Sequence, residues 1–197
     1  MDFTKVKENL EKKGYKVSVF ENKEAATDYI CAQCNGLSIG FGGSMTLKEM
    51  GLYEKLSENN EVHWHWMSKD SDIFAKEAAA PVYMSSVNGL AETGEMVNID
   101  GAGNRVASIF FGHEKVYLIA GSNKIAENLE KAHDRAKNIA APLNAVRLGR
   151  NTPCAVKGDK CYDCQSADRI CTETAILTRH PMAGSIEVIL IDEPLGY

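Results

Sequence analysis

Lys115-Val116-Tyr117-Leu118-Ile119-Ala120-Gly121-Ser122-Asn123-Lys124 is the stretch on which the fold turns. Its first six residues are apolar almost without interruption. A strand of that kind is buried on both faces, as strands of parallel sheets are. A glycine-and-hydroxyl loop follows at once. Ile125 to Ala140 then has helical spacing, with Ala126, Leu129, His133, Ala136 and Ile139 at suitable steps and Pro142 as the stop. Strand, glycine loop and helix in succession form the unit of an α/β sandwich.

The unit recurs on both sides of this stretch. Phe3 to Lys13 reads as a helix capped by Gly14, Tyr15 to Phe20 as a strand, and Lys23 to Cys34 as a helix. Leu37 to Phe41 is a short strand that runs into Gly42-Gly43-Ser44, with helical stretches at Thr46 to Met50 and Leu52 to Leu56. Glu61 to Trp66 alternates like a strand, Ser71 to Ala79 is helical, and Pro81 to Met84 and Ile186 to Ile191 are strands. The expected fold is α/β, a mostly parallel sheet sandwiched by helices, in a single domain spanning residues 1–197. Residues 148–184 lack a period, hold four cysteines and read as an irregular insertion within that domain.

Bulk properties narrow the function. The 197 residues carry 22 basic and 27 acidic side chains, a net charge of −5. Without a basic excess to neutralise phosphates, nucleic acid and membrane surfaces are poor partners. Met1-Asp2-Phe3-Thr4-Lys5 has no signal-peptide character, and no apolar run is long enough to span a bilayer. A cytoplasmic, reducing location is expected, where six cysteines serve as thiols or metal ligands rather than disulfides.

In open α/β sheets, ligands sit beyond the C-terminal ends of the strands. Three glycine-bearing loops leave such ends: Gly40 to Thr46, Ser86 to Arg105, and Gly121 to Lys124. Together they would make a cradle for a small carboxylate or phosphate. Its expected ligand-binding residues are Gly42, Gly43, Ser44, Thr46, Asn88, Gly101, Gly103, Asn104, Arg105 and Lys124. Arg105 is either an anion clamp or the partner of Asp100 or Glu95; Lys124 is either a clamp or a solvated lysine. Glu92 and Asp100 are the carboxylates placed to act as acid or base, with Glu49 a further option. His63 and His65, two apart on a strand, either share a metal or pack beside Trp64.

Cys154-x6-Cys161-x2-Cys164-x6-Cys171 is a second signal. Four thiolates can close a zinc site or hold an iron–sulfur cluster, and the alternative is four free thiols. Cys31-x-x-Cys34 falls inside a helix and reads as core, the alternative being a redox pair.

The runs Gly42-Gly43-Ser44-Met45-Thr46-Leu47, Ser86 to Gly94, Asn98 to Ala107, Ala120 to Ile125, Ala140 to Ala145 and the cysteine loop resemble the lactate-utilisation (LUD) domain family, in the same order along nearly the whole chain. The resemblance implies a part in L-lactate or related organic-acid oxidation, alongside iron–sulfur and redox partner proteins, with a homo-oligomer also open. It implies a fold similar to the ribose-5-phosphate isomerase, glucosamine-6-phosphate isomerase and coenzyme A transferase group. Asp100-Gly101-Ala102-Gly103 resembles the isomerases' glycine loop, and Ser86-Val87-Asn88-Gly89 the transferases' Ser-Glu-Asn-Gly motif. Val87 replaces the transferases' nucleophilic glutamate, and Ile99-Asp100 stands where the isomerases carry lysine. Isomerase or acyl-transfer chemistry, or a non-catalytic regulatory role, are the alternatives to organic-acid oxidation.

Overall fold

The computed structural model describes residues 1–197. Its strands are β1 (Lys16–Phe20), β2 (Ser38–Phe41), β3 (Glu61–His63), β4 (Val82–Ser86), β5 (Gly89–Ala91), β6 (Met96–Asp100), β7 (Lys115–Gly121), β8 (Ile125–Ala126), β9 (Glu173–Leu177) and β10 (Ser185–Ile191). Its α-helices are α1 (Thr4–Lys12), α2 (Lys23–Gln33), α3 (Met45–Glu49), α4 (Leu52–Ser57), α5 (Ile73–Ala79), α6 (Asn104–Phe110), α7 (Leu129–Arg135), α8 (Ala141–Arg147) and α9 (Pro153–Lys157). Six strands form the central sheet in the order β1-β10-β7-β4-β2-β3, and every neighbouring pair is parallel.

The apolar strands are buried on both faces, as their composition requires. Val82, Met84, Tyr117, Ile119, Ile189 and Ile191 meet Ala26, Ile30, Leu47 and Leu52 of α2, α3 and α4 on one side. Tyr83, Val116, Leu118, Ala120, Ile186, Val188 and Leu190 meet Val6, Leu10 and Ile109 of α1 and α6 on the other. Alternate residues of one strand thus feed two cores, the period-2 consequence of an extended backbone. Glu187 is the polar exception in β10, its side chain only 1% exposed. Burial pushes its carboxyl upward, but hydrogen bonds from Lys115, Lys16, Ser18 and Tyr29 outweigh that and hold it at about 2.

A second sheet, ordered β8-β5-β6-β9, was not legible in the sequence. β5 and β6 form an antiparallel hairpin, and β9 adds to β6 antiparallel. β9 lies inside the stretch read as irregular. Of Glu173-Thr174-Ala175-Ile176-Leu177 only Leu177 is buried, so this edge strand has little apolar alternation to reveal it. Leu90, Met96 and Leu177 join the same core as Val116 and Leu118, which fixes this sheet against the first.

The long helix is displaced from its expected bounds. Ile125 and Ala126 pair with Leu90 and Ala91, and the helix starts after Asn128. It continues through a π-helical turn at Ala136–Ala140 into α8, so Pro142 sits inside the run rather than ending it. Ala141 donates its N–H to Ala136, five residues back. The wider turn shifts the hydrogen-bond register, so proline's missing donor falls where the ladder is already interrupted. The Asn128 side chain accepts from Lys131 N at 3.0 Å as the N-cap. Asn128→Ala should cost about 1 kcal/mol in chemical denaturation, the usual worth of such a cap.

Glu61 to Trp66 is strand only as far as His63, after which the chain turns. No helix is long and apolar enough to cross a membrane.

Candidate functional site

β7, β4 and β2 are neighbours in the parallel sheet, so their C-terminal ends open on one rim. The three glycine-bearing loops leave from that rim and border a cleft of about 470 Å³. Gly43, Ser44, Thr46, Asn88, Asp100, Gly101, Asn104, Arg105 and Lys124 all line it. Gly42 and Gly103 stand behind the surface. A Cβ on Gly42 would lie 2.8 Å from both Ser85 Oγ and Tyr83 Oη and 3.1 Å from Arg105 Cγ, so glycine makes room for the arginine. Gly103, at φ 77°, turns the chain into α6.

Short polar contacts lock the loops to one another. The Thr46 hydroxyl meets Ser86 Oγ at 3.2 Å and donates to Leu195 O. Ser44 Oγ accepts from Leu47 N and caps α3. Arg135, which the sequence did not single out, donates to Asn88 O and Asn123 O at 2.6 Å each and ties the loops after β4 and β7 to α7.

Arg105 is the ion-pair partner of Asp100. Its Nε faces Asp100 Oδ2 at 3.4 Å, and its Nη2 donates to Ile99 O at 2.5 Å and Asn88 Oδ1 at 3.3 Å. Asp100 accepts further from Gly101 N and Val106 N. With its oxygens engaged by three donors, Asp100 is placed to fix Arg105 and the loop rather than to take a proton from a ligand. Glu92 lies away from the cleft, in the turn between β5 and β6, where its carboxylate pairs with Lys5 Nζ at 2.7 Å. The reach of the hairpin, which the sequence does not give, decides that. Glu49 accepts from Gly196 N at 2.7 Å. Val87 packs in the core and, like Ile99, also borders the cleft.

Lys124 is no solvated lysine, being 2% exposed. Desolvation, reinforced by Arg135 and Arg105 and only partly offset by Glu49, pushes its ammonium down to about 7. An amine so placed is charged or neutral with nearly equal ease at neutral pH, and an entering anion favours the charged form.

The opposite wall was not anticipated. Arg147 stacks on Trp66 with its guanidinium 4.5 Å from the ring centroid, and Arg150, Asp168 and Arg169 also face the cleft. Trp66 covers the bare backbone of Gly43, leaving 3.2 Å to where a Cβ would stand. Arg147, the last residue of α8, and Arg150, just beyond it, are a local basic pair that could have drawn attention. Five cations therefore border the cleft against two carboxylates, in a chain of net charge −5.

The histidines do not share a metal. His63 Nε2 lies 3.1 Å from Ser38 Oγ, while His65 leaves the strand and meets Glu77 Oε1 at 2.7 Å. Cys34 is core at the end of α2. Cys154, Cys161, Cys164 and Cys171 all border one small space of about 20 Å³ between α8 and the irregular segment. No three His, Cys, Asp or Glu side chains anywhere in the structure stand close enough together to grip an ion as they are.

The chain is similar in fold to the crystal structure of a DUF162 family protein from Deinococcus radiodurans, at TM-score 0.54 and 10% identity, over 97% of this chain and 99% of that one. No curated protein matches it in sequence. The LUD domain family model matches residues 3–191, nearly the whole sheet-and-loop framework just described. The chain belongs to the LUD domain family and is, at that level, a lactate-utilisation-type protein.

Proposed function

We propose that the cleft binds an organic anion bearing a carboxylate or phosphate, and that the protein serves with redox partners in the oxidation of L-lactate or a related acid. The excess of cations over carboxylates carries this reading, because Asp100 is already matched by Arg105 and Lys124 has no carboxylate within ion-pair reach. The small hydroxyls of Ser44 and Ser86, which border the cleft, suit the oxygens of such a ligand. A cleft of about 470 Å³ has room for more than a three-carbon acid; pockets of this size hold cofactor-sized molecules. Six free cysteines suit a reducing compartment such as the cytoplasm.

Lys124 also favours a catalytic version of this reading. With Glu92 turned away and Asp100 engaged, it is the group in the cleft best placed to accept or return a proton near neutral pH.

Ligand-induced thermal shifts below pH 7, where Lys124 is charged, would separate the classes. L-Lactate, pyruvate, inorganic phosphate, phosphosugars and acyl-coenzyme A thioesters form the panel, with lactamide as the uncharged control. At least one anion should stabilise the protein in proportion to its concentration. Equal shifts for the anions and lactamide would remove the proposal.

A further inference from the structure

We propose that Cys154, Cys161, Cys164 and Cys171 act as four thiolate ligands of a single metal centre, which pins the irregular segment against the cleft. All four border the same small space, although they come from α9 and from a loop without helix or strand. The space is about one water molecule in size. Thiolates bind zinc at roughly 2.3 Å, so the sulfurs must draw inward, and a loop without a hydrogen-bonded ladder can follow.

Three features support ligation. Asp163 is the only non-glycine residue with positive φ, at 49°, and its N–H donates to Cys161 Sγ at 3.3 Å. The Cys161-to-Cys164 segment is thereby folded back on itself with a donor aimed at sulfur. Charge is also provided for: Arg169 and Lys137 border the space, and Arg169 donates to Cys171 O and Cys164 O. These contacts orient the ligand-bearing backbone as outer-shell groups do around a metal. Finally, Cys161 N donates to Asn138 Oδ1 at 3.1 Å, which anchors the loop on the π-helical turn.

The segment reaches the cleft through shared walls, because Arg169 and Ile170 face both spaces. A divalent ion entering would displace one proton from each of four thiols, giving a doubly negative tetrathiolate and four protons in solvent. Zinc and an iron–sulfur cluster share this ligand chemistry, and elemental analysis distinguishes them.

The test uses the full chain purified without oxygen. Metal content, acid-labile sulfide and visible absorption are measured before and after supplying zinc, cobalt, or iron with sulfide. The expected result is about one zinc per chain, or iron with matching sulfide, or the spectrum of tetrahedral thiolate-bound cobalt. Cys161→Ser/Cys164→Ser should lower metal content at least tenfold, with Cys31→Ser/Cys34→Ser as the unaffected control. If the double variant does not fold, stoichiometric release of thiols to a colorimetric reagent on chelation of the wild type gives the same answer. A chain that stays metal-free under all three supplies, with four freely reactive thiols in this loop, would overturn the proposal. Metal content is read without any cleft ligand, so this result and the anion-binding result stand or fall separately.

Discussion

Replacing Lys124 by methionine is expected to weaken anion binding by about 10- to 100-fold, the worth of a charge-assisted hydrogen bond. The fold should be as stable as before, or more so. Lys124 is buried, and its ammonium is pushed from 10.5 down to about 7. Between those two values the unfolded chain keeps a proton that the folded chain gives up, so the burial penalty is relieved as pH rises through that window. Below pH 7 both states are charged and the penalty is present in full. Methionine fills similar space without it. Lost binding with gained stability marks a residue kept for function.

Binding has its own pH signature. Below pH 7 the ligand meets an ammonium that is already formed. Above it, each binding event must take a proton from solvent, so affinity should fall by about tenfold per pH unit. Calorimetry in buffers of different ionisation enthalpy reads this uptake directly. In Lys124→Met both the slope and the proton uptake should vanish; a slope that survives unchanged would assign the linkage elsewhere.

Gly101→Ala is expected to have the second large effect. A Cβ at this position would stand 2.6 Å from Ile170 O and 3.3 Å from Ile170 C, both backbone atoms that no side-chain rotation can withdraw. The irregular segment must shift, and with it the bonds from Thr172 N and Thr172 Oγ1 to Asp100 O and Gly101 O. Forced overpacking of this kind costs about 1–3 kcal/mol. Much of that strain falls on Ala167 to Ile170, which wall the cleft, so anion affinity should drop by roughly tenfold or more. Hydrogen exchange of residues 160–172 should accelerate while that of β7 and β10 is unchanged. Uniform acceleration across the sheet would mean that the segment is not a separately seated wall.

The parallel sheet was legible because β7 and β10 are apolar along nearly their whole length, as strands covered by helices on both faces must be. The convergence of three strand-end loops followed from that sheet. The second sheet was not legible: β8 has two residues, β5 has three, and β9 shows one buried side chain in five. Pro142 misled because proline normally stops a helix, and the π-helical turn that accommodates it leaves no mark in the residue pattern. Glu92 misled because its distance along the chain from Arg105 does not show that it falls in a hairpin turn, away from the cleft. Arg135 and Arg147 were missed for a related reason. Each sits on a helix, and only the packing brings it to the loops it serves.

The proposed function requires Ser44, Asn88, Arg105 and Lys124 to form one anion site at the ends of β2, β4 and β7. A crystal structure of the protein with its best-binding anion tests that directly. Oxygen atoms of the ligand within hydrogen-bond distance of Lys124 Nζ and the Arg105 guanidinium, between the Ser44 and Asn88 loops, are the predicted result. A tightly bound anion seated elsewhere, with this cleft holding only water, would contradict it.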